Sequence, residues 1–444
     1  MANPHFEWLS RRRFLIGAGT AVGIGAAAGA GLGVDRAVAD RAVPDHPAAA
    51  AAPSVPDVRL PAPPMGLPAR QHAWTAYLAV DRQGDAIPPQ FDRLLFFDVI
   101  GAPSPAYARL LEAALRTLEL TFRWMPSGLL FTASWGRSYF TDVLRVAPPI
   151  PAAGALSDFE QPAIDGYHLC LHLASDDEAR LAAVEAALTR GTPIPGCTDA
   201  AEPLDLSSAL RWRETRTGFA GAGLPAERQR TGGIPGGRPV PADAPLFMGF
   251  KSALKRNQAT EDDVTIADGP FAGGTTMHVS SMRLALDTWY GQLSQQERVA
   301  RMYAPQVTQN QVSHFTTDAE SDPQLLGQSI SRYGVIGHAQ TSATARRNGR
   351  PVILRRDFDT TDGGQAGLHF VALQRDIADF VATRTAMNAS GAQLRNPSIT
   401  DTVNNGINEF IFVTKRGNYL LPTRRERSFP LLPGRAAALA AGTA

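Results

Sequence analysis

Leu94-Leu95-Phe96-Phe97-Asp98-Val99, then Ser104-Pro105 and the run from Ala106 to Leu120, is the stretch that decides the fold. The first six residues are a short apolar run bounded by turn signals, which predicts a buried strand. Ser104-Pro105 is a good helix start, and the run after it places Leu110, Leu111, Ala114, Leu115 and Leu118 on one face. Working outward, Trp74 to Val80 alternates as a half-buried strand would, and Leu129 to Ser134 and Tyr167 to Leu173 are further strands. Ser175-Asp176-Asp177-Glu178 caps a helix running to Leu188. The order strand, strand, helix, strand, strand, helix predicts an α+β fold, an antiparallel sheet with helices on one face.

The second half repeats this grammar. Thr275 to Met282 alternates as a strand, and Met282 to Leu293 begins a helical region around Trp289. Pro351 to Leu354 and Gly367 to Leu373 read as strands, and Asp376 starts a helix from Ile377 to Met387. Two similar α+β halves follow, at 70–195 and 245–430, with 196–244 as a Gly- and Pro-rich linker or long loop. Residues 40–69 are rich in Ala and Pro and predict a flexible leader, and 431–444 a disordered tail.

Residues 1–39 carry an address. Ser10-Arg11-Arg12-Arg13-Phe14-Leu15 is a twin-arginine signature, followed by an uncharged, weakly hydrophobic run from Ile16 to Val34. Ala37-Val38-Ala39 then offers a small-x-small cleavage site. The glycines of that run make a poor membrane anchor. The expectation is export in the folded state through the twin-arginine (Tat) translocon, to the periplasm or outside the cell. The formal net charge is +1, which gives no electrostatic reason to expect nucleic acid or an anionic membrane as partner. The two cysteines, Cys170 and Cys197, exclude a disulfide scaffold and a zinc ribbon. One bridge between them and two separate thiols both remain open.

Several motifs in the second half occur in a telling order. Gly269-Pro270-Phe271-Ala272-Gly273-Gly274-Thr275 precedes a strand and then Arg283-Leu284-Ala285-Leu286-Asp287-Thr288-Trp289. Gly337-His338, Ile353-Leu354-Arg355-Arg356, Gly367-Leu368-His369-Phe370 and Gln374-Arg375-Asp376 follow. This series resembles the dye-decolorising (DyP-type) haem peroxidases, and the resemblance covers most of residues 245–390. It implies two ferredoxin-like domains, with haem b held mainly by the second. It also implies hydrogen peroxide and an organic reductant as substrates, and a possible homo-oligomer.

In that family a histidine before the Leu-Arg-Arg strand is the proximal iron ligand, and His338, 18 residues before Arg356, matches it. A neutral imidazole nitrogen binds haem iron, while the second nitrogen needs an acceptor that fixes the ring. Arg356 lines up with the distal arginine, whose fixed charge would stabilise negative charge developing on peroxide. Arg355 is the alternative, since neighbouring residues of a strand face opposite sides and only one of the two can reach a given haem face. Asp357 and Asp359 are near enough in sequence to be ion-pair partners.

The family's Gly-x-x-Asp-Gly motif, with a proton-moving aspartate, is matched here by Gly249-Phe250-Lys251-Ser252-Ala253. Serine replaces the acid, and a hydroxyl cannot act unaided as a general base. Glu261, Asp262 and Asp263 offer substitute carboxylates or a solvated cluster. Lys251 and Lys255 could meet haem propionates, and His278, His314 and His369 could be ligands. His369, within an apolar strand, reads better as a hydrogen-bonded core residue. Three functions follow: an exported peroxidase with an altered distal site, a haem-handling protein with little turnover, or a scaffold without haem.

Overall fold

Strand β1, Phe91–Val99, is buried on both faces. Leu94 and Phe96 join an apolar cluster that also holds Met277, Val279, Val371 and Leu421 from the second half. Leu95, Phe97 and Val99 belong to a different cluster, with Leu111, Leu115 and Leu181 of the first-half helices. A strand whose alternate side chains serve two cores has an apolar residue at nearly every position, which explains the unbroken run in the sequence.

The computed structural model describes residues 55–56, 58–194, 204–234, 239–252, 254–314 and 320–440. After β1 come β2 Leu130–Gly136, β3 Ala163–Ile164, β4 Leu169–Ser175 and β5 Leu210–Phe219. The later strands are β6 Thr275–Leu284, β7 Leu354–Arg355, β8 Phe358–Thr360, β9 Gly367–Gln374 and β10 Ile411–Leu421. They form one sheet in the order β2-β4-β1-β5-β8-β9-β6-β10-β3, with β7 also on β9.

Within that order the four main strands of each half lie second, third, first, fourth. Helices follow the first and third strands of the first half, α1 Pro105–Thr121 and α2 Glu178–Arg190. That is the ferredoxin-like arrangement, and it occurs twice. The halves join at both edges, Phe219 opposite Asp359 and Tyr419 opposite Gly136. The expected antiparallel α+β halves are therefore present.

Local signals account for the helix ends. Pro105 opens α1, the Asp177 side chain accepts from the Arg180 N–H at the start of α2, and Gly191 closes α2 at φ 64°.

Four local expectations differ from the structure. Trp74 to Val80 is not a strand, but holds a single 3-10 turn at Thr75–Tyr77. Trp74 is buried alone, with its indole N–H donating to the Gln71 carbonyl, so the apparent alternation reflects one anchor. Val58 and Leu60, in the expected leader, are buried in the first core. Part of the expected 196–244 linker is β5, whose sequence Leu-Arg-Trp-Arg-Glu-Thr-Arg-Thr-Gly-Phe is too polar to show a period. In the expected tail, Arg435–Ala440 is helical, and Arg109 donates to the Ala438 carbonyl at 2.8 Å. Cys170 is buried in β4, while Cys197 and the export signal lie outside the described residues.

Candidate functional site

The second half of the sheet turns one face inward and uses the other differently. On β6, Met277 and Val279 point into the shared core, so Ser280, Met282 and Leu284 point outward. On β9, Val371 and Leu373 point inward, and Leu368 and Phe370 outward. Over this outer face lie segment 246–252, the helix His338–Ala343 and the helix Ile377–Ala386. Between them is a cavity of about 1240 Å³, its open mouth included. Its walls are mainly apolar, through residues such as Met248, Phe250, Met282, Phe370 and Ile411.

His338 stands in this wall as the first residue of its helix. Gly337 before it passes so near Tyr303 that a Cβ would lie 1.8 Å from the Tyr303 carbonyl oxygen. Behind it runs Gly406, at φ +53°, where a Cβ would lie 3.0 Å from His338 Cα. Two glycines thus let other backbone close on the histidine and fix where it stands. Its Nδ1 is buried and has no hydrogen-bond partner among the described residues, so the acceptor expected for the second ring nitrogen is not in place, and Nε2 is the nitrogen left to serve the cavity. Burial pulls the imidazole down to about 4, with the charges of Arg355 and Arg384 acting the same way. The ring is therefore neutral at pH 7, the form that ligates a metal.

The donor set suits haem. One neutral imidazole faces an open-mouthed, mainly apolar cavity, and Arg384 and Arg416 in the wall are cations able to meet carboxylates. Both arginines are buried and pair with Glu160, at 3.0 Å for Arg384 Nε and 3.0 Å for Arg416 Nη2. Asn405 Oδ1 and Asn408 Oδ1, in the loop through Gly406, are also buried without partners.

The arginine that reaches the cavity is Arg355, not the favoured Arg356. Strand alternation decides it: Arg355, Asp357 and Asp359 all line the cavity, while Arg356 and Phe358 point to the inner side. There Arg356 stacks on Trp74 at 3.9 Å and donates to the His72 carbonyl. Its charge is deeply buried, which brings it down to about 10 despite Glu261 and Asp92 nearby.

Ser252 is in the wall with Arg355. Arg355 Nε donates to Ser252 Oγ at 3.2 Å and Nη2 to the Ser252 carbonyl at 2.6 Å. Ser252 Oγ in turn donates to Asp357 Oδ1 at 3.0 Å. Gly249, Phe250 and Lys251 belong to the same segment. Gly249 takes φ +86° beneath the Tyr290 hydroxyl, and Phe250 packs edge-on against Tyr303. Lys251 stands in the wall but is ion-paired with Asp81. Trp289 and Tyr290 pin this segment by donating to the Met248 and Phe247 carbonyls at 3.1 and 2.7 Å.

The other candidates are placed elsewhere. Glu261 accepts from the Trp74 and Thr75 backbone, and Asp263 from Thr260, so neither enters the cavity. His278 uses both nitrogens, on Asn418 and Ser280, each at 2.7 Å. His369 is the hydrogen-bonded core residue expected, on Ser281 and Asp362. The side chain of His314 lies outside the described residues. Asp357, Asp359, Arg384 and Arg416 are cavity residues that the sequence reading did not assign. The alternate spacing of Arg355, Asp357 and Asp359 is the signal that puts two of them on one face with Arg355.

A family model described as a family of unknown function, DUF7405, matches residues 89–423. No curated protein matches the chain. Among solved structures, the chain is similar to DypB of Rhodococcus jostii RHA1, a variant in complex with haem. That match has 14% identity and a TM-score of 0.52, covering 81% of this chain and 98% of the other. It is also similar to a DyP-type peroxidase protein from Shewanella oneidensis, at 16% identity and a TM-score of 0.51, over 76% and 94% of the two chains. A DyP-type peroxidase from Cellulomonas bogoriensis gives 19% identity and a TM-score of 0.50, over 76% and 90%. At these identities the likeness is one of fold, and the fold is that of the DyP-type peroxidases.

Proposed function

We propose that this chain, which belongs to the DUF7405 family, is an exported haem protein that reduces hydrogen peroxide and oxidises an organic substrate. The observation that carries the reading is the placement of His338, Arg355 and Ser252 on the walls of one cavity, in a fold shared with haem peroxidases. Bound haem would supply an iron centre able to exchange electrons with peroxide. Each remaining part of the chemistry falls to the chain. His338, placed by the backbone of Gly337 and Gly406, would hold the iron through its neutral Nε2. Arg384 and Arg416 in the wall would meet the haem carboxylates, and the mainly apolar lining would limit water at the site. Arg355 holds a fixed positive charge where negative charge develops on peroxide oxygen. The haem is of the non-covalent b type in this reading, because the two cysteines cannot make a Cys-x-x-Cys-His attachment site.

The test is peroxide-dependent oxidation of a dye or phenol by the haem-loaded protein, lost in His338→Ala and in Arg355→Ala. Haem uptake without any turnover at any peroxide concentration would favour the second reading, haem handling, which rests on Ser252 standing where the family has an acid. Export suits a protein that must take up its cofactor before crossing. A reporter carrying residues 1–39 should leave the cytoplasm through the Tat translocon, and should stay behind when Arg11 and Arg12 become Lys.

A further inference from the structure

We infer that Asp357 is the proton-carrying carboxylate of this cavity, taking the part that position 252 cannot play, with Ser252 positioning it. The inference rests on the haem-peroxidase reading and extends it.

Three carboxylates line the cavity: Glu320, Asp357 and Asp359. Glu320 is bound by Arg256 and Arg346, so both its oxygens are engaged by cations. Asp359 is 1% exposed, and its Oδ2 accepts from the Phe247 N–H. Burial pushes its carboxyl well above the ordinary range, which makes it a neutral group fixed in the wall. Asp357 differs from both. It lies deep yet keeps accessible surface, and that surface is cavity wall.

Its partners complete the case. Ser252 Oγ donates to Asp357 Oδ1 at 3.0 Å and itself accepts from Arg355 Nε at 3.2 Å. The serine hydroxyl is thereby committed in both directions and acts as a bridge between arginine and carboxylate. Among the described residues, no other side chain engages the Asp357 carboxyl beyond Ser252 and the nearby Arg355, which leaves it able to meet a ligand. The titratable and charged groups around Asp357 are Arg355 on β7, the neutral Asp359 on β8 and Asp92 across the sheet on β1, with the Ser252 hydroxyl facing it. Burial raises the carboxyl, and Arg355 and Ser252 pull it back. A carboxyl raised by burial and held by a cation and a hydroxyl is suited to accept a proton and return it.

The step balances. Asp357 takes the proton from one peroxide oxygen and returns it to the other, ending as it began. That second oxygen, now with two protons, leaves as water with the electron pair of the broken O–O bond. Bound haem, on the reading this step rests on, would supply the two electrons required by the oxygen left behind.

The first test uses the haem-free protein. Infrared difference spectra between wild type and Asp357→Asn should show one carboxyl band titrating above an ordinary aspartate, and moving higher in Ser252→Ala. In haem-loaded protein, Asp357→Asn should lower peroxide turnover on the order of a hundredfold to ten-thousandfold. Haem uptake should stay within about twofold of wild type on the scale where tenfold is 1.4 kcal/mol. Ser252→Ala should cost less than Asp357→Asn, and Ser252→Asp combined with Asp357→Asn should recover part of the loss. Turnover of Asp357→Asn near the wild-type value overturns the assignment, and so does a carboxyl band at the ordinary aspartate position. Absence of haem uptake by wild type defeats the underlying reading separately, and the infrared titration still decides the state of Asp357.

Discussion

Gly337→Ala isolates the contact that sets the position of His338. An added Cβ would lie 1.8 Å from the Tyr303 carbonyl oxygen, 2.3 Å from its carbon and 2.9 Å from the Ala304 nitrogen. Ordinary contact begins at 3.4 Å, so the two backbones must separate by about 1.6 Å. Gly337 has φ −80°, which alanine adopts freely, so the whole penalty is steric. The neighbouring atoms are backbone, and the helix start is held by Gly337 N–H donating to Gln340 Oε1 and Gly406 N–H donating to the Ile336 carbonyl. Such overpacking costs roughly 1–3 kcal/mol. A displacement above 1 Å at a ligand residue costs about a hundredfold in what depends on it. Urea unfolding of the haem-free protein reads the first quantity, and haem titration followed by absorbance reads the second. Gly154→Ala, with nothing within 4 Å of its Cβ, is the control. Unfolding free energy within about 0.5 kcal/mol of wild type, together with unchanged haem affinity, would refute the clamp.

Arg356→Ala removes a stacked, hydrogen-bonded cation from the inner side of the sheet, and should cost roughly 2 kcal/mol in urea unfolding while haem uptake is kept; Arg355→Ala should do the reverse, sparing stability more than turnover. Asp359→Asn keeps the acceptor for Phe247 and removes a carboxyl whose folded value burial has raised. Wild type loses stability as pH rises above the unfolded value of 3.8, so the variant should gain on it at pH 8 and meet it as pH falls towards 4; a gap that ignores pH would contradict this. Glu160→Ala leaves Arg384 and Arg416 as buried cations without their shared carboxylate, and unfolding measurements should show a loss of roughly 3–5 kcal/mol.

The fold was legible where hydrophobic runs were unbroken. β1, β4 and β9 carry apolar residues on two buried faces, and α1 shows its stripe plainly. β5 was hidden because much of its surface is exposed and charged, and β10 because Lys415, Arg416 and Asn418 interrupt it while making buried or half-buried pairs. His338 was identified by motif order. The choice between Arg355 and Arg356 was not, because alternation says that they differ in direction but not which of them faces inward. That depends on Phe358 and Leu354 entering the inner core, a tertiary fact. The same fact turned Asp357 from an ion-pair partner into a cavity residue.

The most direct test of a haem held by His338 is the absorption spectrum of the purified protein titrated with haem. A Soret band saturating at one haem per chain, present in Arg356→Ala and lost or displaced in His338→Ala, is the predicted result. A wild-type protein that stays colourless with haem in excess, or a His338→Ala spectrum identical to wild type, would contradict it.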